Sequence, residues 1–383
     1  MRSELVQGDC LEVLEDMEPE TVGAVVTDPP YGIGFMGKKW DQAVPGPRFA
    51  ELCFRAMKPG AWLGAFAATR TQHRLTCALE DAGFEVRDVL GWVQYQGFPK
   101  NQNVGKAWGD DKEGAAKWAA YGTALKPSWE PCVLVRKPLD GSMVENLKKH
   151  GTGPINIDAC RYPYGDPAWI GPDNSPEFIE KTCAPNSRGG AAVTSGRSLG
   201  DLGSQVVNVH ADGRWPANLY HCPKPSRSER EGGCEHLPTK NVTETVDRAP
   251  GSPGSMSPGA GANRGAGSPR YRCAHCGLTL AGGHAASPCP VNGEHEPELE
   301  GYGPEIHNFH PTVKPIQLMR WIVRLLCPPG QLVVDPFVGS GTTGIAAALE
   351  QRDFLGIERE ADYIPIARAR IDHHGRQTQL DFG

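Results

Sequence analysis

Two short stretches of this chain combine residue types that can do chemistry. Asp28-Pro29-Pro30-Tyr31 follows an apolar run over 22–26, so an acid, two prolines and a ring stand at the end of a buried strand. The prolines fix φ and remove two backbone donors, which leaves carbonyl acceptors and one carboxylate beside an aromatic face. Such a loop suits an exocyclic amino group that donates to the acceptors and stacks on the ring. The second stretch, Asp335-Pro336-Phe337-Val338-Gly339-Ser340-Gly341-Thr342, joins an apolar segment to a helical one. Its glycines let backbone approach a ligand, and its free amides face that ligand at a helix N-terminus. The lysine and the spacing of a phosphate-cradling loop are missing. Glu358 ends the next apolar segment, where an acid commonly takes ribose hydroxyls, so turn and acid together point to a nucleoside-containing cofactor. A nicotinamide dehydrogenase fits poorly, because the glycine turn lies near the carboxyl end and no Gly-x-Gly-x-x-Gly follows the first strand.

Strands are needed to deliver these residues. Hydrophobic periodicity predicts strands over 4–7, 22–26, 61–67, 85–93, 131–135, 331–334 and 354–358, with helices over 11–17, 50–57, 71–82, 144–150, 316–326, 344–349 and 363–371. The alternation predicts parallel crossovers and a doubly wound α/β sheet, whose active site lies at the carboxyl ends of the strands. The loop over 32–41, with glycines at 32, 34 and 37, reads as one that closes over a ligand.

Composition bounds what remains. The chain has 383 residues and a net charge of −6, against a uniformly basic nucleic-acid binder but not against a local basic cleft. No run of apolar residues is long enough to cross a membrane and no signal-peptide core opens the chain, so a soluble cytoplasmic protein is expected. In such a chain the 12 cysteines read as free thiols or metal ligands rather than disulfides. Periodicity fades after Asp158, and 171–203 and 249–267 are rich in Gly, Ser, Pro and Asn, a composition too polar to order itself alone. Within that interval Cys273-x-x-Cys276 has zinc-ligand spacing, and Cys289 and His295 lie where they could complete four ligands, with His275, His284, Cys222 and Cys234 as competitors. The organisation expected is therefore 1–157, an irregular insert over 158–306, and 307–383.

Taken together, Gly8-Asp9-Cys10, Asp28 to Tyr31, a long insert, His310-Pro311-Thr312-Val313-Lys314-Pro315 and Asp335 to Thr342 agree in type and order with one family. The chain resembles the β class of amino-group DNA methyltransferases. The stretches 32–41, 97–106, 123–138, 149–161 and 213–219 are similar to its phage- and prophage-encoded branch, whereas the glycine-rich insert lies outside the resemblance. The resemblance implies a circularly permuted Rossmann-like fold and S-adenosylmethionine as cofactor. Asp335, Phe337, Gly339, Ser340, Gly341 and Thr342 would hold its methionine and ribose portion and Glu358 its ribose hydroxyls. Asp9 and Cys10 would meet its adenine, and Thr312 and Lys314 its carboxylate. The implied reaction methylates an exocyclic amine of a base flipped out of double-stranded DNA. Asp28 and the Pro29 carbonyl would accept the amino hydrogens, Pro30 would shape the loop, and Tyr31 would stack on the base. In the family, Asp-Pro-Pro-Tyr usually accompanies N6-adenine and Ser-Pro-Pro-Tyr N4-cytosine, so adenine is expected, with cytosine as the alternative.

The insert would be a target-recognition region, with Trp169, Arg188, Arg197, Arg214, Trp215, Lys224, Arg227 and Arg230 as candidate phosphate and base contacts. The resemblance also places the chain in a bacterial host's cytoplasm, allows a homodimer and requires no restriction-enzyme partner. An RNA methyltransferase and a nucleic-acid-binding module without catalysis are the rival readings.

Overall fold

The computed structural model describes residues 2–97, 99, 101–170, 212–241, 269–273, 275, 279–281, 291, 297–302 and 305–381. Its strands are β1 (Ser3–Gln7), β2 (Val22–Thr27), β3 (Met57–Phe66), β4 (Glu85–Val93), β5 (Trp129–Arg136), β6 (Leu219–His221) and β7 (Lys240–Asn241), followed by β8 (Pro269–Cys273), β9 (Thr279–Ala281), β10 (Pro297–Tyr302), β11 (Glu305–Ile306), β12 (Leu332–Asp335) and β13 (Asp353–Glu358). Eight of them form one sheet in the order β1-β13-β12-β2-β3-β5-β4-β6. All of β2 is buried, as expected of a strand covered on both faces. Successive side chains serve opposite cores. Ala24 and Val26 pack with Leu318, Ile322 and Ile345, from helices Ile316–Leu326 and Thr342–Leu349. Val25 packs with Leu14, Phe49 and Leu75, from helices Cys10–Asp16, Pro47–Ala56 and Gln72–Asp81. The result is a three-layer, Rossmann-like α/β fold.

Chain order and spatial order disagree, as the circular permutation implies. β12, which carries the glycine turn, comes near the end of the chain yet lies between β13 and β2, parallel to both. β1 in turn pairs in parallel with β13. Four parallel neighbours therefore present their carboxyl ends along one edge, and with them Asp9, Glu358, Asp335 and Asp28.

One expectation needs correction. The alternation predicts parallel crossovers throughout, but β5 runs antiparallel to both β3 and β4. The segment over 94–128 that connects β4 to β5 contains only two short helices, Val104–Ala107 and Lys112–Lys117, neither long enough to return the chain across the sheet. It re-enters at the edge it left, bringing the start of β5 to the side where β2 ends.

The interval over 158–306 is not wholly outside the sheet, since β6 extends it in parallel with β4. Further on, β7 and β11 pair antiparallel, Lys240 with Ile306 and Asn241 with Glu305, so the chain over 242–304 leaves and returns at adjacent positions. No helix among the described residues is long and apolar enough to cross a membrane.

Candidate active site

The carboxyl edge opens into a cavity of about 530 Å³. Asp9, Cys10, Asp28, Pro30, Thr312, Lys314, Asp335, Phe337, Gly339, Ser340, Thr342 and Glu358 all line it, so sequence-predicted residues from both halves of the chain converge on one space. Pro29, Tyr31 and Gly341 stand outside its wall.

On one side of the cavity four ionisable groups meet. Lys314 Nζ lies 2.5 Å from Asp28 Oδ2, with the two side chains 6% and 17% exposed. The Tyr31 hydroxyl donates to Asp28 Oδ1 at 2.8 Å and receives the Lys314 ammonium at 3.1 Å. Glu130, at the entry of β5, approaches the same hydroxyl at 3.1 Å and Lys314 at 3.4 Å. The rings of Phe66, Tyr31 and Trp92 surround the ammonium at 4.8, 5.4 and 5.8 Å. Burial pushes the Asp28 carboxyl upward, and the adjacent Lys314 ammonium works in the opposite direction. For Lys314 burial disfavours the charge, but Asp28 and Glu130 outweigh it and raise the group. Tyr31 is driven well above the usual phenol range by burial and by both carboxylates, and stays a neutral donor. The arrangement is a buried acceptor pair, ready for a donor, beside an aromatic ring.

On the other side stands the glycine turn. The Asp335 carboxylate is 2% exposed and receives Thr27 at 2.6 Å, Thr343 at 2.5 Å and the Phe337 amide at 3.0 Å. It therefore stitches β12 to β2 and to the helix after the turn, and burial raises its pKa to about 6. Glu358 accepts the Gly339 and Glu360 amides at 2.9 and 2.8 Å, which fixes the acid against the turn. Burial raises it too, against those two bonds. Asp9 caps helix Cys10–Asp16 through the Leu11 amide, and burial lifts the Cys10 thiol to about 12, so it remains uncharged.

Both turn glycines have reasons internal to the protein. Gly339, at φ +51°, would place a Cβ 2.6 Å from His310 Nε2, and Gly341, at φ +82°, one 2.9 Å from the Ala367 Cα. His310 packs edge-on against Tyr363, and burial, with Arg370, Lys314 and Arg230 nearby, depresses its pKa to about 3. Arg370, fully buried on helix Ile364–Asp381, donates to the Ser340 carbonyl at 2.6 Å and to the Ser340 and Thr342 hydroxyls at 3.1 Å each. Its other nitrogen reaches the Glu229 carbonyl, on the short helix Arg227–Glu231. From that helix Glu229 receives the Ile316 amide, and Glu231 those of His307 and Asn308. A segment from the sequence-defined insert thus anchors the His310–Pro315 motif and the turn.

A model of the DNA methylase family matches residues 22–369. The chain belongs to that family. As a DNA methylase family member it is 46% identical over 63 residues to the type II methyltransferase M2.DpnII of Streptococcus pneumoniae, which is 16% of this chain and 24% of that protein. It is 43% identical over 61 residues to M2.MboI of Moraxella bovis, 16% and 22% of the two chains. The matched region thus spans about a quarter of the curated relatives' length. Among solved structures, the M1.HpyAVI–SAM complex aligns over 97% of this chain and 99% of its own, at 16% identity and a TM-score of 0.43. PvuII DNA methyltransferase (cytosine-N4-specific) aligns over 97% and 86%, at 14% identity and 0.46.

Three positions in this family member are not marked by any sequence motif. Glu130 is an acid wedged between Trp129 and Pro131 at the head of an apolar strand, a local anomaly that could have flagged it. Arg370 follows Tyr363, Ile366 and Ala367 at helical spacing, so a charge on the buried stripe was the available signal. Asp41 gave no such signal. Of the expected zinc ligands, Cys276, Cys289 and His295 lie outside the described residues, while Cys273 is buried at the end of β8. The competitors Cys222 and Cys234 are buried and apart from any cluster of potential ligands, since no group of three or more His, Cys, Asp or Glu suited to a metal occurs among the described residues.

Proposed function

We propose that this chain is an S-adenosylmethionine-dependent, site-specific methyltransferase acting on the N6 amine of adenine in double-stranded DNA, with the N4 amine of cytosine as the second reading. One observation carries it: Asp28, held by the Tyr31 hydroxyl, and the glycine turn with Glu358 line a single cavity. The cavity also fits the cofactor. Phe337 and Phe49 give it apolar walls for an adenine, and each Glu358 oxygen, with one amide bonded, keeps a lone pair for a ribose hydroxyl. When bound, S-adenosylmethionine supplies an electrophilic methyl group.

The protein's part is acceptance and orientation. A target amine has two hydrogens, which the Asp28 carboxylate and the Pro29 carbonyl accept, so the nitrogen lone pair is aimed at the incoming methyl. The base has to leave the duplex to reach this depth, and Tyr31 offers it a face. Lys314, held 2.5 Å from Asp28, favours the charged and accepting form of that carboxylate. Asp-Pro-Pro-Tyr supports adenine over cytosine.

The test is single-molecule sequencing of plasmid DNA from a methylation-deficient host that expresses the chain. N6-methyladenine at one motif is expected, and Asp28→Ala should abolish it while leaving cofactor binding largely intact. N4-methylcytosine would replace the base, and an unmodified plasmid with the cofactor still bound would redirect the reading to RNA.

We further propose a structural zinc at the Cys273-x-x-Cys276 knuckle, whose first cysteine ends β8. Elemental analysis should give about one zinc per chain, and a well-folded, metal-free preparation would refute the site.

A further inference from the structure

The loop over 32–41, expected to close over a ligand, and the residues that follow it to 46 supply Trp40, Ala43, Val44, Pro45 and Gly46 to the cavity wall. One side chain ties that wall to the amine-accepting loop. Asp41 is 1% exposed, and no cation pairs with it among the described residues. Its charge is met by backbone instead. Oδ1 accepts the amides of Tyr31 at 2.7 Å and Gly32 at 2.9 Å, and Oδ2 those of Phe35 at 2.7 Å and Ile33 at 3.3 Å. The Asp41 carbonyl receives a fifth amide, from Gly34 at 2.9 Å. Four amides converging on one buried carboxylate make an anion nest whose anion is part of the chain.

The two sides of this nest serve different halves of the site. The amides it gathers begin at Tyr31, the residue whose hydroxyl holds Asp28. The neighbour of Asp41, Trp40, lines the cavity and lies parallel to the His310 ring, with centroids 6.5 Å apart and planes at 9°. Ala43 and Val44 line it as well, and a Cβ on Gly32 would stand 2.9 Å from the Val44 nitrogen, so the loop doubles back on the Tyr31–Gly32 backbone with no space between. At φ +65°, Gly32 makes that fold possible.

We propose that Asp41 is a positioning residue, which makes the outer wall of the cofactor cavity and the Asp28–Tyr31 loop move as one body. Filling the cavity against Trp40 then sets the amine acceptors through Asp41, and engagement of the target amine steadies the wall over the cofactor. Such coupling is reciprocal. The inference rests on the methyltransferase reading of the site.

It is tested on the full-length protein with Asp41→Asn, Trp40→Ala and the double variant. Asparagine keeps the shape of the side chain, but its NH2 turns donors toward amides that are themselves donors. The measurements are the melting temperature, binding of S-adenosylhomocysteine by calorimetry, and the single-turnover rate of methyl transfer to plasmid DNA at saturating cofactor, normalised to cofactor-binding sites. Normalisation removes any loss caused by unfolded protein, which is all that a purely structural Asp41 would produce. Asp41→Asn should bind S-adenosylhomocysteine more weakly and, at saturation, transfer methyl at least about tenfold more slowly. Trp40→Ala, whose indole makes no hydrogen bond to Asp28 or Tyr31, should slow transfer in the same assay. In the double variant the losses should be smaller than the product of the single ones, as for two residues acting through one connection. Losses that simply multiply, or an Asp41→Asn rate equal to wild type beside an active wild type, overturn this inference alone. A wild type that binds the cofactor but transfers no methyl group to DNA overturns the proposed function and this inference with it.

Discussion

Lys314 stands between two carboxylates and cannot serve both equally, being 2.5 Å from Asp28 and 3.4 Å from Glu130. The negative charge of Glu130 raises the Asp28 carboxyl, so removing that charge should lower it. Glu130→Gln is therefore expected to move the acid limb of the pH–rate profile to lower pH, because Asp28 then stays charged further into acid. The same substitution loosens the Tyr31 hydroxyl and should reduce turnover by up to about 10²-fold with cofactor affinity little changed. A profile that does not move would remove Glu130 from the site. Asp28 and Tyr31 were legible in the sequence because loop and strand end occupy four consecutive residues. Glu130 was not, since its bond to Tyr31 spans 99 positions and no local pattern encodes it. Lys314 was legible as a motif residue, but periodicity cannot say what an ammonium will face, and here it meets Asp28.

Elements explain why the glycine turn has the sequence it has. The turn is gripped from three directions, by His310 against Gly339, by Ala367 behind Gly341, and by Arg370 on Ser340 and Thr342. His310 is held neutral there, with a pKa of about 3 in place of the ordinary 6.5. A histidine depressed by folding gives full stability above its unfolded value, and that stability is lost as pH falls from 6.5 toward about 3, by up to about 1.4 kcal/mol per pH unit. Melting curves at stepped pH should thus show wild type losing stability faster than His310→Gln below pH 6.5, while parallel slopes would contradict a neutral, packed imidazole. The sequence showed the turn and its helix, through glycines beside an apolar period. It could not show that the glycines accommodate protein groups, because His310 and Ala367 approach from other parts of the chain. The same limit hid the direction of β5, which depends on a connection of irregular composition.

For the molecule as a whole, the fold class was legible because alternating apolar strands and amphipathic helices leave few arrangements. The boundary of the insert was not, because β6 is only three residues long and helix Arg227–Glu231 only five, too short for any periodicity to register. Both belong to the body that holds the cavity. What departs from that body does so through β7 and β11, where Asn241 and Glu305 lie opposite each other. Replacing 242–304 with Asn-Gly, the pair that closes a two-residue hairpin, should therefore preserve folding and cofactor binding while abolishing site-specific methylation. Circular dichroism, calorimetry and plasmid sequencing would check the three outcomes. Loss of cofactor binding would place part of the cofactor site in the excised segment.

The engaged state of Asp28 bears on bystander chemistry. Both of its oxygens already have partners, the Tyr31 hydroxyl and the Lys314 ammonium. A small stray amine that wanders into the cavity meets oxygens that each have one lone pair taken, and it brings no ring to stack, so little holds it there. A flat base that stacks on a ring while presenting two hydrogens gains both contacts, so under the proposed function selection of the nitrogen would precede any reading of sequence.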